Sequence, residues 1–162
     1  MSPPIGPEEA RFILESTGFP ALEYEHGVTA RVISALPGEH MSFRPVPGAR
    51  TAGEIARHIA GIELRFLGAA GSGTFVDYGP GLADAADGAA VVECYQIRYR
   101  EVRSRLAGVS GRDLLRPLDY KGLVRLPALG FVQFALNHTI HHRGQLSVYL
   151  RMVGIGVPPI YG

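Results

Sequence analysis

The residues best suited to chemistry lie in one run, His138-Thr139-Ile140-His141-His142-Arg143-Gly144-Gln145. At ~100° per residue, a helix sets His138 and His142 about 40° apart on one face. Phe131, Phe134, Ala135, Gln145, Tyr149 and Met152 project to that same face, which places both imidazoles within a core-facing stripe. Two imidazoles one turn apart in apolar surroundings need hydrogen-bond partners or a shared cation. His58 repeats the placement on an earlier segment, with Ile55, Ile62 and Phe66 on its side and Ile59 at the flank. This third inward imidazole either hydrogen-bonds within the core or completes a three-nitrogen set. Such a set leaves positions open on a metal, as catalytic rather than structural sites do. The pair departs from the zinc-protease motif, because Thr139 and Ile140 stand where that motif has Glu beside its first His. A metalloprotease is disfavoured for want of its general base.

Other side chains are candidates for the surroundings of such a site. Glu54 and Arg65 project toward the same side as His58, where each can line a pocket, orient a ligand or pair with a neighbour. Gln145 lies one turn beyond His142 and can bind substrate or water. Gln145 and Glu54 are the candidate catalytic side chains beside a metal-bound water or thiol, with a solvated or capping role as the alternative for Glu54. Tyr95 and Arg98 share a face with Val91 and Val102. A buried arginine is costly without an anionic partner, so Arg98, with Tyr95 beside it, becomes a candidate pocket anchor for a carboxylate. The alternative keeps the Arg98 stem buried and its head at the rim. His141 is turned about 60° from His138, which suits a place behind the ligands or at a helix interface better than one on the metal. His26 projects with Phe19, Leu22 and Ile33 as core or pocket wall.

The elements that must position these residues are helical. Pro7, Glu8 and Glu9 start a short amphipathic helix over 7–16, with acidic groups near the positive end of its dipole. A longer helix is expected over 20–36, stopped by Pro37-Gly38. Residues 38–50 carry Pro45, Pro47 and Gly48 and read as an ordered loop. Thr51-Ala52-Gly53-Glu54 fits a capping box, opening a helix to about residue 69. A Gly-rich stretch follows over 68–81, then a helix over 84–106 closed by Gly108. Residues 118–126 suit a short hairpin around Lys121-Gly122. Pro127 suits the first turn of a long final helix ending near Gly154. Its second apolar stripe of Leu129, Leu136, Ile140 and Ser147 needs cover from the N-terminal segment or a second subunit. Four long helices without a large sheet define an all-α, four-helix-bundle class with a short N-terminal helical segment. The whole of 1–162 reads as a single domain, with an N-terminal extension over 1–18 and a proline-rich tail over 155–162.

Composition narrows the function classes. Apolar residues make up 46% and charged residues 19% of the 162, a globular composition able to bury a core. The formal net charge is +1, and the sixteen basic residues are scattered, which argues against nucleic acid as a partner. No stretch approaches the ~20 apolar residues of a membrane span. The first six residues lack the basic start and apolar run of a signal peptide. Cys94 is the one cysteine, so no intrachain disulfide forms; it reads as a small buried hydrophobe, and the expected compartment is the cytoplasm.

The run Asn137-His-Thr-Ile-His-His-Arg-Gly-Gln-Leu-Ser-Val-Tyr-Leu150 resembles the signature of the DinB/YfiT-like metalloenzyme family. Glu54-Ile55-Ala56-Arg57-His58-Ile59 resembles that family's first metal-binding helix, and the ending Val157-Pro158-Pro159-Ile160-Tyr161-Gly162 is also typical of it. Members resembling this chain are not DNA polymerases, despite the name. The resemblance implies an up-down-down-up four-helix bundle, often a homodimer, with nickel, zinc or a similar divalent ion on His58, His138 and His142. Some relatives are similar to bacillithiol, mycothiol or glutathione S-transferases, so a low-molecular-weight thiol cofactor is implied beside the metal. Two reactions on a small-molecule substrate remain open, S-transfer or isomerisation with an activated thiol and hydrolysis with activated water. The contrasting expectation is a non-catalytic metal-binding or stress-related module.

Overall fold

Pro7 starts helix α1 (Pro7–Ile13), but the chain does not break before the next helix as the sequence suggests. A single π-helical turn (Leu14–Gly18) joins α1 directly to α2 (Phe19–Ser34). The wider turn shifts the face that follows, which is why the hydrophobic pattern reads as two separate helices. The computed structural model describes residues 5–161; the expectations for residues 1–4 and 162 lie outside them.

Residues 38–50 form a loop with one 3-10 turn (Gly38–His40). Helix α3 (Ala52–Ser72) then begins at the expected capping box. The Glu54 amide donates to Thr51 Oγ1 (3.1 Å) and the Thr51 amide donates to Glu54 Oε2 (2.6 Å). The helix runs three residues past its expected end, because Gly68 and Gly71 are packing sites rather than breakers. Tyr78 and the backbone of Leu106 close over them. Gly73, at φ +83°, ends it.

After a 3-10 turn (Gly79–Leu82), helix α4 (Gly88–Ala107) begins four residues later than expected. Asp87 caps it by accepting from the Ala90 amide at 2.8 Å. Short helix α5 (Gly111–Leu114) packs on α1. Strands β1 (Pro117–Tyr120) and β2 (Val124–Pro127) pair antiparallel, with Lys121 (φ 56°) and Gly122 (φ 69°) in the left-handed turn. Pro127 is an extended cap residue of the next helix rather than its first turn. Helix α6 runs from Ala128 to Met152.

Helix α2 packs on α4 and α6, and α3 packs on the same two. Contacts fix the directions. Arg103 bonds Glu23 while Gly88 meets Ile33, so α2 and α4 are antiparallel. Leu64 shares a cleft with Cys94 while Gly71 meets Leu106, so α3 and α4 run parallel. His58 meets His142 while Phe66 meets Phe131, so α3 and α6 are antiparallel. The order is the up-down-down-up bundle that the resemblance implies. The stripe on α6 opposite the histidines is covered in part by α2: Leu136 and Ser147 are buried, whereas Ile140 is 37% exposed. No helix among the described residues is long and apolar enough to cross a membrane.

Candidate metal centre

Antiparallel packing of α3 on α6 brings His58 against His138 and His142. His138 Nε2 lies 3.1 Å from His58 Nε2. Ring centroids are 4.8 Å apart for His58–His138, 4.7 Å for His58–His142 and 4.4 Å for His138–His142. One ring nitrogen from each lies within 4.8 Å of the other two. All three rings are half-buried, not deep in the core as the periodicity suggests, and His58 borders an open cleft.

Burial is the main reason these rings resist protonation. It lowers His138 to about 3, assisted by the neighbouring His142, His58, His141 and Arg50 charges. Burial, then Arg50, His142 and Arg65, lowers His58 to about 4. Burial also lowers His142, against an opposing hydrogen bond to Gln145. Three neutral imidazoles therefore face one another at neutral pH, each with a lone pair to share. The set fits a divalent ion. Two nitrogens bound tetrahedrally at ~2.1 Å stand about 3.4 Å apart, close to the His58–His138 spacing. Metal ligation requires deprotonated rings, which this setting maintains.

Gln145 contacts the three-ring group through His142. Its Oε1 lies 3.0 Å from His142 Nδ1, and accepts that N–H when the Nε2 lone pair is turned toward the other rings. Glu54 lines the cleft of about 300 Å³ beside His58, together with Arg50, Arg57, Arg65 and Asp77. Its carboxylate is held below the usual range first by the Thr51 amide. Arg65 pairs with Asp77 and donates to Tyr120 Oη at 3.1 Å.

Other expected residues lie elsewhere. Arg98 is not a buried anchor: its side chain is 55% exposed and bonds Glu101 at 3.1 Å. It borders a separate cleft with Cys94, which is half-buried rather than core. Tyr95 is fully buried and does not line the histidine cleft; its ring lies against His26 at 4.3 Å. Tyr95 shares the buried face of Val91 and Val102, whereas Arg98 stands outside it. His141 is exposed and stands outside the three-ring group. Met152 is 56% exposed, since the face it shares with the histidines leaves the core near the helix end.

Two buried polar networks escaped sequence reasoning. Thr139 donates to Glu63 Oε2 at 2.6 Å, and Glu63 Oε1 lies 3.4 Å from His26 Nδ1. His26 in turn stacks on Tyr99 at 3.6 Å. Arg143, 2% exposed, pairs with Glu25 and donates to Tyr161 Oη at 2.7 Å, while that hydroxyl donates to Glu25 Oε1 at 2.9 Å. The available signal was Thr139, Arg143 and Ser147 at four-residue spacing, a polar line on α6 that faces other helices rather than water.

A family model described as the DinB superfamily matches residues 21–146, and the chain belongs to that superfamily. Among solved structures, a DinB-like protein from Bacillus cereus is 25% identical, with a TM-score of 0.70 over 89% of this chain and 95% of its own. A DinB-like protein (YjoA) from Bacillus subtilis aligns with a TM-score of 0.71 over 89% of this chain and 96% of its own; at 22% identity it bears on the fold. The uncharacterized protein YrdA of Bacillus subtilis is 42% identical over 38 residues. That segment is 24% of this chain and 23% of YrdA, so the match spans less than a quarter of that protein.

Proposed function

We propose that the chain is a metal-dependent enzyme in which His58, His138 and His142 hold one divalent ion, nickel or zinc, beside a cleft for a small-molecule substrate. The carrying observation is that three ring nitrogens, kept neutral by burial, approach within 4.8 Å of one another from two antiparallel helices. Held by these three rings, a divalent ion would supply Lewis-acid chemistry, making water or a thiol more acidic. The protein's own residues orient and enclose. Gln145 turns the His142 ring, the half-buried setting limits bulk water, and Glu54 forms cleft wall near the mouth.

The reaction class is S-transfer with a low-molecular-weight thiol or hydrolysis, carried out by 1–162 as one domain. The homodimer implied by the resemblance belongs to the same reading. Ile140 (37% exposed) and Val148 (51%) share one face of α6 and offer it an apolar surface; sedimentation as a monomer would remove it.

Elemental analysis of the purified protein, beside a His138→Ala variant, tests the metal. Metal at unit stoichiometry in the parent and its loss in the variant are expected; equal metal in both overturns the reading. Assays of the loaded protein with thiols plus electrophiles, and with esters and amides, separate transferase from hydrolase. Bound metal without turnover in either would leave a non-catalytic metal-binding module.

A further inference from the structure

The cleft that His58 borders carries positive charge that its own walls do not answer. Asp77 is engaged by Arg65 and by the Gly79 amide (3.0 Å). Arg57 spends its guanidinium on the carbonyls of Leu82 (3.1 Å) and Ala85 (2.8 Å). Glu54 accepts from the Thr51 amide, and the charges of both Arg44 and Arg50 act on it. Arg50 lines the same cleft, is exposed, and makes no hydrogen bond or ion pair among the described residues. Its charge reaches all three imidazoles, depressing the basicity of each.

The root of Arg50 is also fixed. Directly after it, the Thr51 amide is capped by Glu54, the Ala52 amide donates to the Phe43 carbonyl at 2.8 Å, and the Gly53 amide donates to the Met41 carbonyl at 2.9 Å. A guanidinium whose backbone is followed by so anchored a turn presents a planar, two-pronged donor to whatever enters.

We propose that Arg50 is the specificity-determining residue of the cleft, binding a carboxylate on the small molecule that reaches the three-histidine centre. The substrate or co-substrate is then an organic acid rather than a neutral compound. This rests on the metal reading, because three neutral histidines leave a divalent ion's two charges uncompensated and add to the demand for an anion.

The test uses the full chain loaded with cobalt, whose visible absorption reports on its ligands. Mercaptoacetate and mercaptoethanol are titrated in turn, two thiols that differ chiefly in the charge of the far group. The parent should bind the acid about tenfold more tightly than the alcohol, as one charge-assisted hydrogen-bonded contact allows. Arg50→Gln should lose that preference while still showing the cobalt signature and a spectral response to mercaptoethanol. A preference that survives in Arg50→Gln overturns the assignment, since it then reflects chelation by the carboxylate. So does a parent with no preference, or with no spectral response to either thiol. A parent that shows no cobalt signature removes the metal reading itself, and this proposal with it.

Discussion

Gln145 does for the His142 ring what no described side chain does for His138. The Gln145 amide oxygen lies 3.0 Å from His142 Nδ1, whereas His138 Nδ1 is buried without a partner. A ring tethered at one nitrogen presents the other in a defined direction, and such outer contacts typically carry 10–100-fold in metal affinity. Gln145→Ala should therefore weaken metal binding by about tenfold or more in a chelator competition, with the helical circular dichroism unchanged. Unaltered affinity would show that packing alone orients His142. The residue was picked out from its place beyond His142, but its partner was not: spacing puts it near both substrate space and the ring, and only the rotamer decides between them.

At the scale of elements, α3 and α6 carry the site, and α4 packs on both α3 and α2. Gly88 begins α4 where its amide donates to the Leu36 carbonyl at 2.8 Å, and a Cβ there would lie 1.8 Å from the Ile33 carbonyl oxygen. That oxygen belongs to backbone and cannot swing away. Gly88→Ala should cost about 2–3 kcal/mol by overpacking, read as a lowered denaturant midpoint; an unchanged midpoint would mean that the start of α4 shifts freely. The capping box at Thr51, the hairpin about Lys121-Gly122 and the long α6 were legible because each rests on local chemistry. Local chemistry ran out at the π turn, where α1 and α2 join without a cap, and at Gly68 and Gly71, whose role exists only once Tyr78 and α4 lie against them. Of the two placements open to Arg98, the exposed one holds, and the sequence could not choose between them for the same reason. A helical face is readable from periodicity, but its neighbour is a property of the assembled bundle.

For the whole molecule, the histidines couple folding to pH. Burial lowers folded His58 to about 4 and folded His138 to about 3, from an ordinary value of 6.5. Below pH 6.5 the unfolded chain takes up protons that the folded chain refuses, so stability is full above that value and declines as pH falls toward 4. The metal-free protein should hold a constant Tm above pH 7 and a falling one from 6.5 downward. A His58→Gln, His138→Gln double variant should show a shallower fall. A parent Tm that stays flat to pH 5 would contradict the linkage. The buried Glu63 and Arg143 networks join distant helices, and no window of sequence contains both partners. The two facing imidazoles are themselves 80 positions apart in the chain. An ion gripping both would close a loop of that length, as a disulfide would between α3 and α6, in a chain whose lone cysteine can make none. Such a cross-link opens to a chelator instead of a reductant, which would make the durability of the fold a readout of the free metal around it.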